Sequence, residues 1–259
     1  MLKQDSSPPD EAMIPGKNGA SAQDIKFVRS LQQKKFRQQN GLFVVEGKKM
    51  VEELLRSPFE IHSIYTAGAS FKIPGPAPVI RTKDGDLERM SSFATSPGVL
   101  AVVKQKEWKP LEQLTGLSLV LDGMSDPGNM GTIIRTADWF GVEQILCSAN
   151  CVELWNAKVV QATMGSVFRM PVVYGALPEL LKSYIESGKK LVAATMQGTS
   201  FQAIEKSFPA LLAIGSEANG LSAEVLALAT TQISIPGRGK TESLNAGVAA
   251  GILMQQLMQ

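Results

Sequence analysis

The chain of 259 residues contains a single histidine, His62, and two cysteines, Cys147 and Cys151. One imidazole excludes histidine-rich zinc and iron sites, and leaves a serine–histidine–aspartate mechanism only one base to draw on. Two cysteines four apart match neither the CxxC redox spacing nor a disulfide framework, so both read as free thiols in a reducing compartment. The longest apolar run, Ala246–Met254, is nine residues, far short of the roughly 20 needed to span a bilayer. The start, MLKQDSSPPDEAMIPGKNGA, lacks the apolar stretch of a signal peptide. An excess of one charge is also missing: 26 Lys+Arg against 24 Asp+Glu leave a net +2, so no whole-chain field advertises a polyanionic partner. The expectation is a cytoplasmic protein with no membrane partner and no metal, whose chemistry uses groups other than imidazole.

What is present is ordinary globular composition, 44% hydrophobic and 19% charged, in a length that suits two modest domains. Residues 1–24 mix Ser, Pro, Asp and Gly without periodicity and read as a disordered tail, with order expected near Asp24 as a helix cap. The stretch 26–49 holds seven basic residues against one acid, so the balanced total conceals a local basic patch. Such a patch is either a solvated helix face or a phosphate-binding surface. A strand at GLFVVEG, a helix at KKMVEELLRS and further strands at 61–66, 78–81 and 99–104 predict a small α/β unit over 25–105. Residues 106–116, with charge and a proline, read as a linker. From residue 117 onward, apolar strands at 117–121, 144–147, 190–194, 210–214 and 233–235 alternate with helices near 132–140, 156–163, 177–187, 222–229 and 242–258. That alternation predicts a second α/β domain, 117–259, with a mostly parallel sheet covered by helices on both faces.

In open α/β sheets, ligands bind in the loops that leave the carboxyl ends of the strands. Three such loops are long and rich in Gly, Asn and Ser: DGMSDPGNMGTIIRTADWFG, GSEANGLS and PGRGKTESLNAGVAAG. The PGRGKT segment imitates a phosphate-binding P-loop, but the required first glycine is Ser234. No GxGxxG follows a strand, so the ordinary dinucleotide fold has no support either.

NMGTIIRTA (129–137), IGSEANGL (214–221) and IPGRGKTESLNAGVAAGI (235–252) resemble the three motifs of SpoU/TrmH-type RNA 2′-O-ribose methyltransferases, in the family's order and ending at the C-terminus. RSLQQKKFRQQNGLFVVEG (29–47) resembles the start of the substrate-binding domain of ribosomal-RNA members. The likeness covers about residues 25–259. One departure is Ala246, where the family often has a bulkier apolar residue after Ser-Leu-Asn. The resemblance implies an S-adenosylmethionine-dependent enzyme, a trefoil knot in the C-terminal domain, and a homodimer. Its substrate would be RNA, most of all 23S ribosomal RNA. A transfer-RNA substrate and a non-catalytic RNA-binding or ribosome-assembly role are the alternatives. The N-terminal domain weighs against transfer RNA, whose enzymes commonly carry short helical extensions instead.

By motif match, Arg135, Asn129, Glu217, Ser243 and Asn245 form the catalytic set. Arg135 lies about 200° from the buried Ile133 at helical spacing, so it is no core residue. The family proposal often makes this arginine the base. A free arginine has a pKa of about 12.5, so holding one neutral at pH 7 costs roughly 7 kcal/mol. A charged Arg135 that grips the target phosphate and polarises the 2′-OH is the more economical role. Asn129 could be a turn or cap residue, and Ser243 a cap of the last helix. Glu217 is expected to support the loops by hydrogen bonding to Asn129 or backbone. Gly215, Ile235 and Leu244 match donor-binding positions, with Met196 and Gly198 as further members of the adenosine pocket. Lys34, Lys35, Arg37 and Lys48 are the expected RNA contacts. His62, Cys147 and Cys151 map to no family role.

Overall fold

In a computed structural model that describes residues 17–68, 77–95, 97–203 and 210–258, the chain forms two sheets in succession. The first unit contains β1 (Lys17–Asn18), α1 (Ala22–Ser30), α2 (Lys34–Asn40), β2 (Leu42–Glu46), α3 (Lys48–Leu55), β3 (Ile61–Thr66), β4 (Val79–Arg81), α4 (Asp84–Met90) and β5 (Val99–Lys104). Its sheet runs β1-β4-β3-β5-β2, with β5 antiparallel to both neighbours. The second contains β6 (Leu117–Asp122), α5 (Pro127–Phe140), β7 (Ile145–Ser148), α6 (Ala157–Ala162), β8 (Val172–Gly175), α7 (Leu177–Glu186), β9 (Lys190–Ser200), β10 (Ala210–Gly215), α8 (Ala223–Leu228), β11 (Thr231–Ser234) and α9 (Ala246–Met258). Its six strands run β11-β9-β10-β6-β7-β8. Every pairing in this sheet is parallel, as the alternation of strand and helix predicts.

Several local expectations shift. The first helix begins at Ala22 rather than near Asp24. Ser21 is its cap, and Asp24 completes a capping box by accepting the Ser21 backbone N–H at 2.8 Å. Most of the expected tail, 1–16, lies outside the described residues, but 17–18 already form a strand. The helix after β6 starts at Pro127, with Asp126 capping it; proline suits that first turn because its missing N–H would be unsatisfied anyway. Strand β8 escaped the pattern because only two of its four residues are fully buried. Strand β9 runs to Ser200, six residues past its expected end.

The two units share one apolar core. Phe43 and Phe59 of the first unit meet Trp155 of the second at ring-centroid distances of 4.4 and 5.9 Å, and Phe59 meets Phe168 at 5.4 Å. Around this aromatic group lie two polar clasps. Arg37, 3% exposed, directs its Nε to Glu153 Oε1 at 2.6 Å and its Nη1 to the Leu31 carbonyl at 2.8 Å. Arg169 bridges Glu53 at 2.8 Å and Asp138 at 2.9 Å. The segment 106–116 is laid onto the second unit and does not hang free: Leu111 N–H donates to Gln144 at 2.9 Å, and Thr115 N–H to Glu143 at 3.1 Å. Lys106 lies 3.8 Å from the centroid of the Trp108 ring.

Removing one partner of a buried, hydrogen-bonded ion pair strands the other charge, at a cost of about 3 kcal/mol or more. Arg37→Ala is therefore expected to lower stability by about 3 kcal/mol in denaturant unfolding. A loss under about 0.5 kcal/mol, the scale of an exposed surface substitution, would show that the clasp contributes nothing.

Candidate active site

Strands β6, β10 and β11 end on the same side of the second sheet, and their loops converge there. Asp122, the buried last residue of β6, accepts the Ser222 N–H at 2.8 Å and so ties the first strand end to the second loop. Glu217, in that second loop, accepts at one carboxylate oxygen from three donors. They are Asn129 Nδ2 at 2.8 Å, Asn245 Nδ2 at 3.2 Å and the Ala246 backbone N–H at 3.3 Å. Asn245 Nδ2 also reaches Asn129 Oδ1 at 2.8 Å. Three of the five expected catalytic residues thus form one network, contributed by the start of α5, the loop after β10 and the start of α9. Glu217 has both of the partners anticipated for it, Asn129 and a backbone N–H, and Asn245 besides.

Ser243 and Arg135 stand outside that network. Ser243 does not cap the last helix: α9 starts later, and Asn245 Oδ1 accepts from Gly247 and Val248 N–H at 3.0 and 3.3 Å. Asparagine is at least as good a cap as serine, and here its amide also reaches the network. Arg135 is exposed on α5, about 120° around the helix from Asn129 at helical spacing.

The expected donor-binding residues lie on β9, at the end of β10 and in the loop after β11. Met196 and Leu244 are large apolar side chains left 67% and 46% exposed, while Ile235 is partly buried against the core. Strand β11 pairs with Val192 and Ala193, then skips to Thr199 and Ser200. Residues 194–198 therefore bulge out of β9. Within the bulge the Thr195 hydroxyl is buried with no partner, a cost that a bound polar group would remove. Sequence reasoning missed Thr195; its neighbours Met196 and Gly198 were the available signal.

Main chain passes close to both Gly215 and Gly198. A Cβ on Gly215 would fall 2.0 Å from Gly220 carbon, and one on Gly198 would fall 2.5 Å from Ile233 backbone. What approaches these main chains is the protein's own backbone, so both glycines are first required for the loops to close.

Lys34, Lys35 and Lys48 are exposed on the first unit. Arg37, taken from the same basic run, is a correction: it is buried and engaged by Glu153, hence withdrawn from any phosphate. His62 is exposed beside Ser63 and Phe27. Cys147 and Cys151 are both buried and unbridged. A hydrogen bond from Cys147 pulls the Cys151 thiol down to about 6 against the opposing effect of burial, with the N–H of Met124 adding to the pull. Burial raises Cys147. Among the described residues, no group of three or more His, Cys, Asp or Glu could hold a metal, and no helix is long and apolar enough to cross a membrane.

Comparison with known proteins bears on both units. The SpoU rRNA Methylase family matches residues 116–255, and the MRM3-like substrate binding domain matches residues 22–101. The chain is 34% identical to an uncharacterized tRNA/rRNA methyltransferase of Synechocystis, over 90% of this chain and 89% of that one. It is 31% identical to the 23S rRNA (guanosine(2553)-2′-O)-methyltransferase RlmP of Bacillus subtilis, over 92% of this chain and 97% of the relative. Among solved structures, an AdoMet-bound rRNA methyltransferase from Sinorhizobium meliloti superposes with a TM-score of 0.84 at 28% identity, over 93% of this chain and 97% of that one.

The network makes a local prediction. Glu217→Ala deprives the Ala246 N–H and the Asn129 amide of their acceptor and leaves the Asn245 amide only Asn129 Oδ1, so hydrogen exchange in the first turn of α9 should accelerate about tenfold. Glu217→Gln, which keeps an acceptor oxygen, should accelerate it less. Unchanged exchange at 246–248 in the alanine variant would contradict the assigned role.

Proposed function

The chain belongs to the SpoU rRNA methylase family, and from that premise we propose that it transfers a methyl group from S-adenosylmethionine to a ribose 2′-OH of ribosomal RNA. The observation that carries this proposal is the Asn129–Glu217–Asn245 network, which binds together the loops that bear all three family motifs. The trefoil knot comes with the family and is not traced by strand order alone.

The residues at the β9 bulge fit the proposed donor. Met196 and Leu244 offer exposed apolar surface, and the unpartnered Thr195 hydroxyl offers a polar contact. With Ile235 and the main chain at Gly198 and Gly215, they would hold S-adenosylmethionine. When bound, that group supplies an electrophilic methyl on its sulfonium.

The rest is the protein's own work. Arg135, exposed and charged, holds a phosphate of the target and polarises the 2′-OH, whose proton leaves to phosphate or water. Asn129, Glu217 and Asn245 fix the loops, so alignment of the nucleophile accounts for much of the acceleration. Ser243, exposed in the loop before α9, remains within reach of a substrate phosphate near that helix N-terminus. Lys34, Lys35 and Lys48 supply phosphate contacts that position the RNA without reading its sequence.

A homodimer is part of the proposal. Between α5 and α9 lies an apolar groove lined by Thr132, Phe140, Val248, Gly251 and Ile252, on the side where Trp139 stands 84% exposed. A second copy would cover it; a single-chain mass in light scattering would count against this. An RNA substrate and two buried, unbridged thiols fit a cytoplasmic enzyme.

The test is a map of 2′-O-methyls in ribosomal and transfer RNA from cells with and without the gene. One ribosomal site should vanish and return with the wild-type gene. Arg135→Lys keeps the charge but loses the bidentate fork, and should restore the site poorly. No lost site in either RNA would overturn the proposal, and full restoration by the lysine variant would overturn the geometric role of Arg135.

A further inference from the structure

Six large apolar side chains are well exposed among the described residues: Phe93, Trp139, Met164, Met196, Leu244 and Val248. Met196 and Leu244 belong with the proposed donor site, and Trp139 and Val248 with the proposed subunit face. Met164 belongs to neither. It is 41% exposed, and among the described residues it is the one non-glycine with a positive φ, at 50°. A side chain is disfavoured in that left-handed conformation, where glycine or asparagine is the usual occupant. An exposed thioether there goes against both local preference and solvation.

The turn that presents Met164 is firmly held. Thr163, fully buried, donates its hydroxyl to the Val160 carbonyl at 2.7 Å, and Ser166 N–H closes onto the Thr163 carbonyl at 3.1 Å. The next residue, Gly165, packs so tightly under Glu53 of the first unit that a Cβ would lie 2.8 Å from its Cγ.

The surroundings place this turn along the face of α5 that carries Arg135. At 100° per residue, Gly131, Arg135 and Asp138 fall within about 60° of one another around α5. Gly131 packs on Ala162, and Asp138 binds Arg169. The chain from 162 to 169 therefore runs along that face of α5, which carries Arg135, and Met164 falls between its two anchors. The nearby carboxylates of Glu53 and Asp138 are both engaged by Arg169, which reduces their repulsion of an approaching phosphate.

We propose that Met164 is a specificity-determining residue for the RNA substrate, its thioether packing on the face of an unpaired nucleobase next to the nucleotide whose phosphate Arg135 holds. This rests on the function proposed above. A polarizable sulfur suits the face or edge of an aromatic ring, and an unpaired base offers that ring in structured RNA.

Met164→Gly removes the side chain and suits the left-handed backbone. It should leave the melting temperature and S-adenosylmethionine affinity unchanged or improved, and lower kcat/KM for the RNA by about 3- to 10-fold, mainly through KM. The full-length protein carrying a photoreactive benzoylphenylalanine at position 164 should crosslink to RNA within a few nucleotides of the methylated ribose. Wild-type kcat/KM in the glycine variant would overturn the proposal, as would crosslinking to a second protein chain or to scattered RNA positions. Wild-type protein is assayed alongside: if it methylates no RNA, the underlying function fails, whereas active wild type with an unaffected glycine variant rejects Met164 alone.

Discussion

One carboxylate holds the site together. Glu217 receives hydrogen bonds from Asn129, Asn245 and the Ala246 backbone, groups that come from opposite ends of the second unit. Without it, the Asn129 amide in the buried first turn of α5 and the Ala246 N–H at the buried start of α9 would lose their acceptor. Asn245 uses its amide nitrogen on this network and its amide oxygen on the first N–H groups of α9. The same side chain thus starts the helix and ties it to α5. Loop closure between Gly215 and Gly220, with no room for a Cβ, brings Glu217 to that meeting point.

The second constraint is the joint between the units. Trp155 is stacked against Phe43 and approached by Phe59, with Arg37–Glu153 and Glu53–Arg169–Asp138 around it. Apolar burial supplies the attraction and the buried Arg37–Glu153 pair supplies register, since its displacement leaves a buried charge without a partner. The exposed lysines of α2 and α3 therefore stand at a set distance from the second unit's loops. An RNA held by those lysines would reach the site in one orientation.

Much of this was legible in the sequence. Strand–helix alternation from residue 117 gave the parallel sheet, and three polar loops after strands marked the side where chemistry belongs. Their motifs singled out Asn129, Glu217 and Asn245, which the fold does bring together. What stayed hidden depends on partners distant in sequence. Arg37 looks like any member of a basic run, and only Glu153, 116 positions on, removes it from the surface. At Gly198 the backbone that fills the space of a Cβ comes from another strand, at Ile233, and at Gly215 it comes from the following loop, at Gly220 and Leu221. Ser243 is the plausible cap in one dimension, but the observed cap is Asn245, which is also tied to Glu217. The 106–116 segment has a linker's composition, yet Gln144 and Glu143 pin it down.

Alkali distinguishes which atom of RNA receives the methyl group. A 2′-O-methyl removes the hydroxyl that attacks the neighbouring phosphate, so that linkage survives hydrolysis. Purified protein, methyl-labelled S-adenosylmethionine and unmodified ribosomal RNA should yield label in alkali-stable dinucleotides. Label confined to mononucleotides would mean base methylation, and would contradict the ribose chemistry assigned to this site.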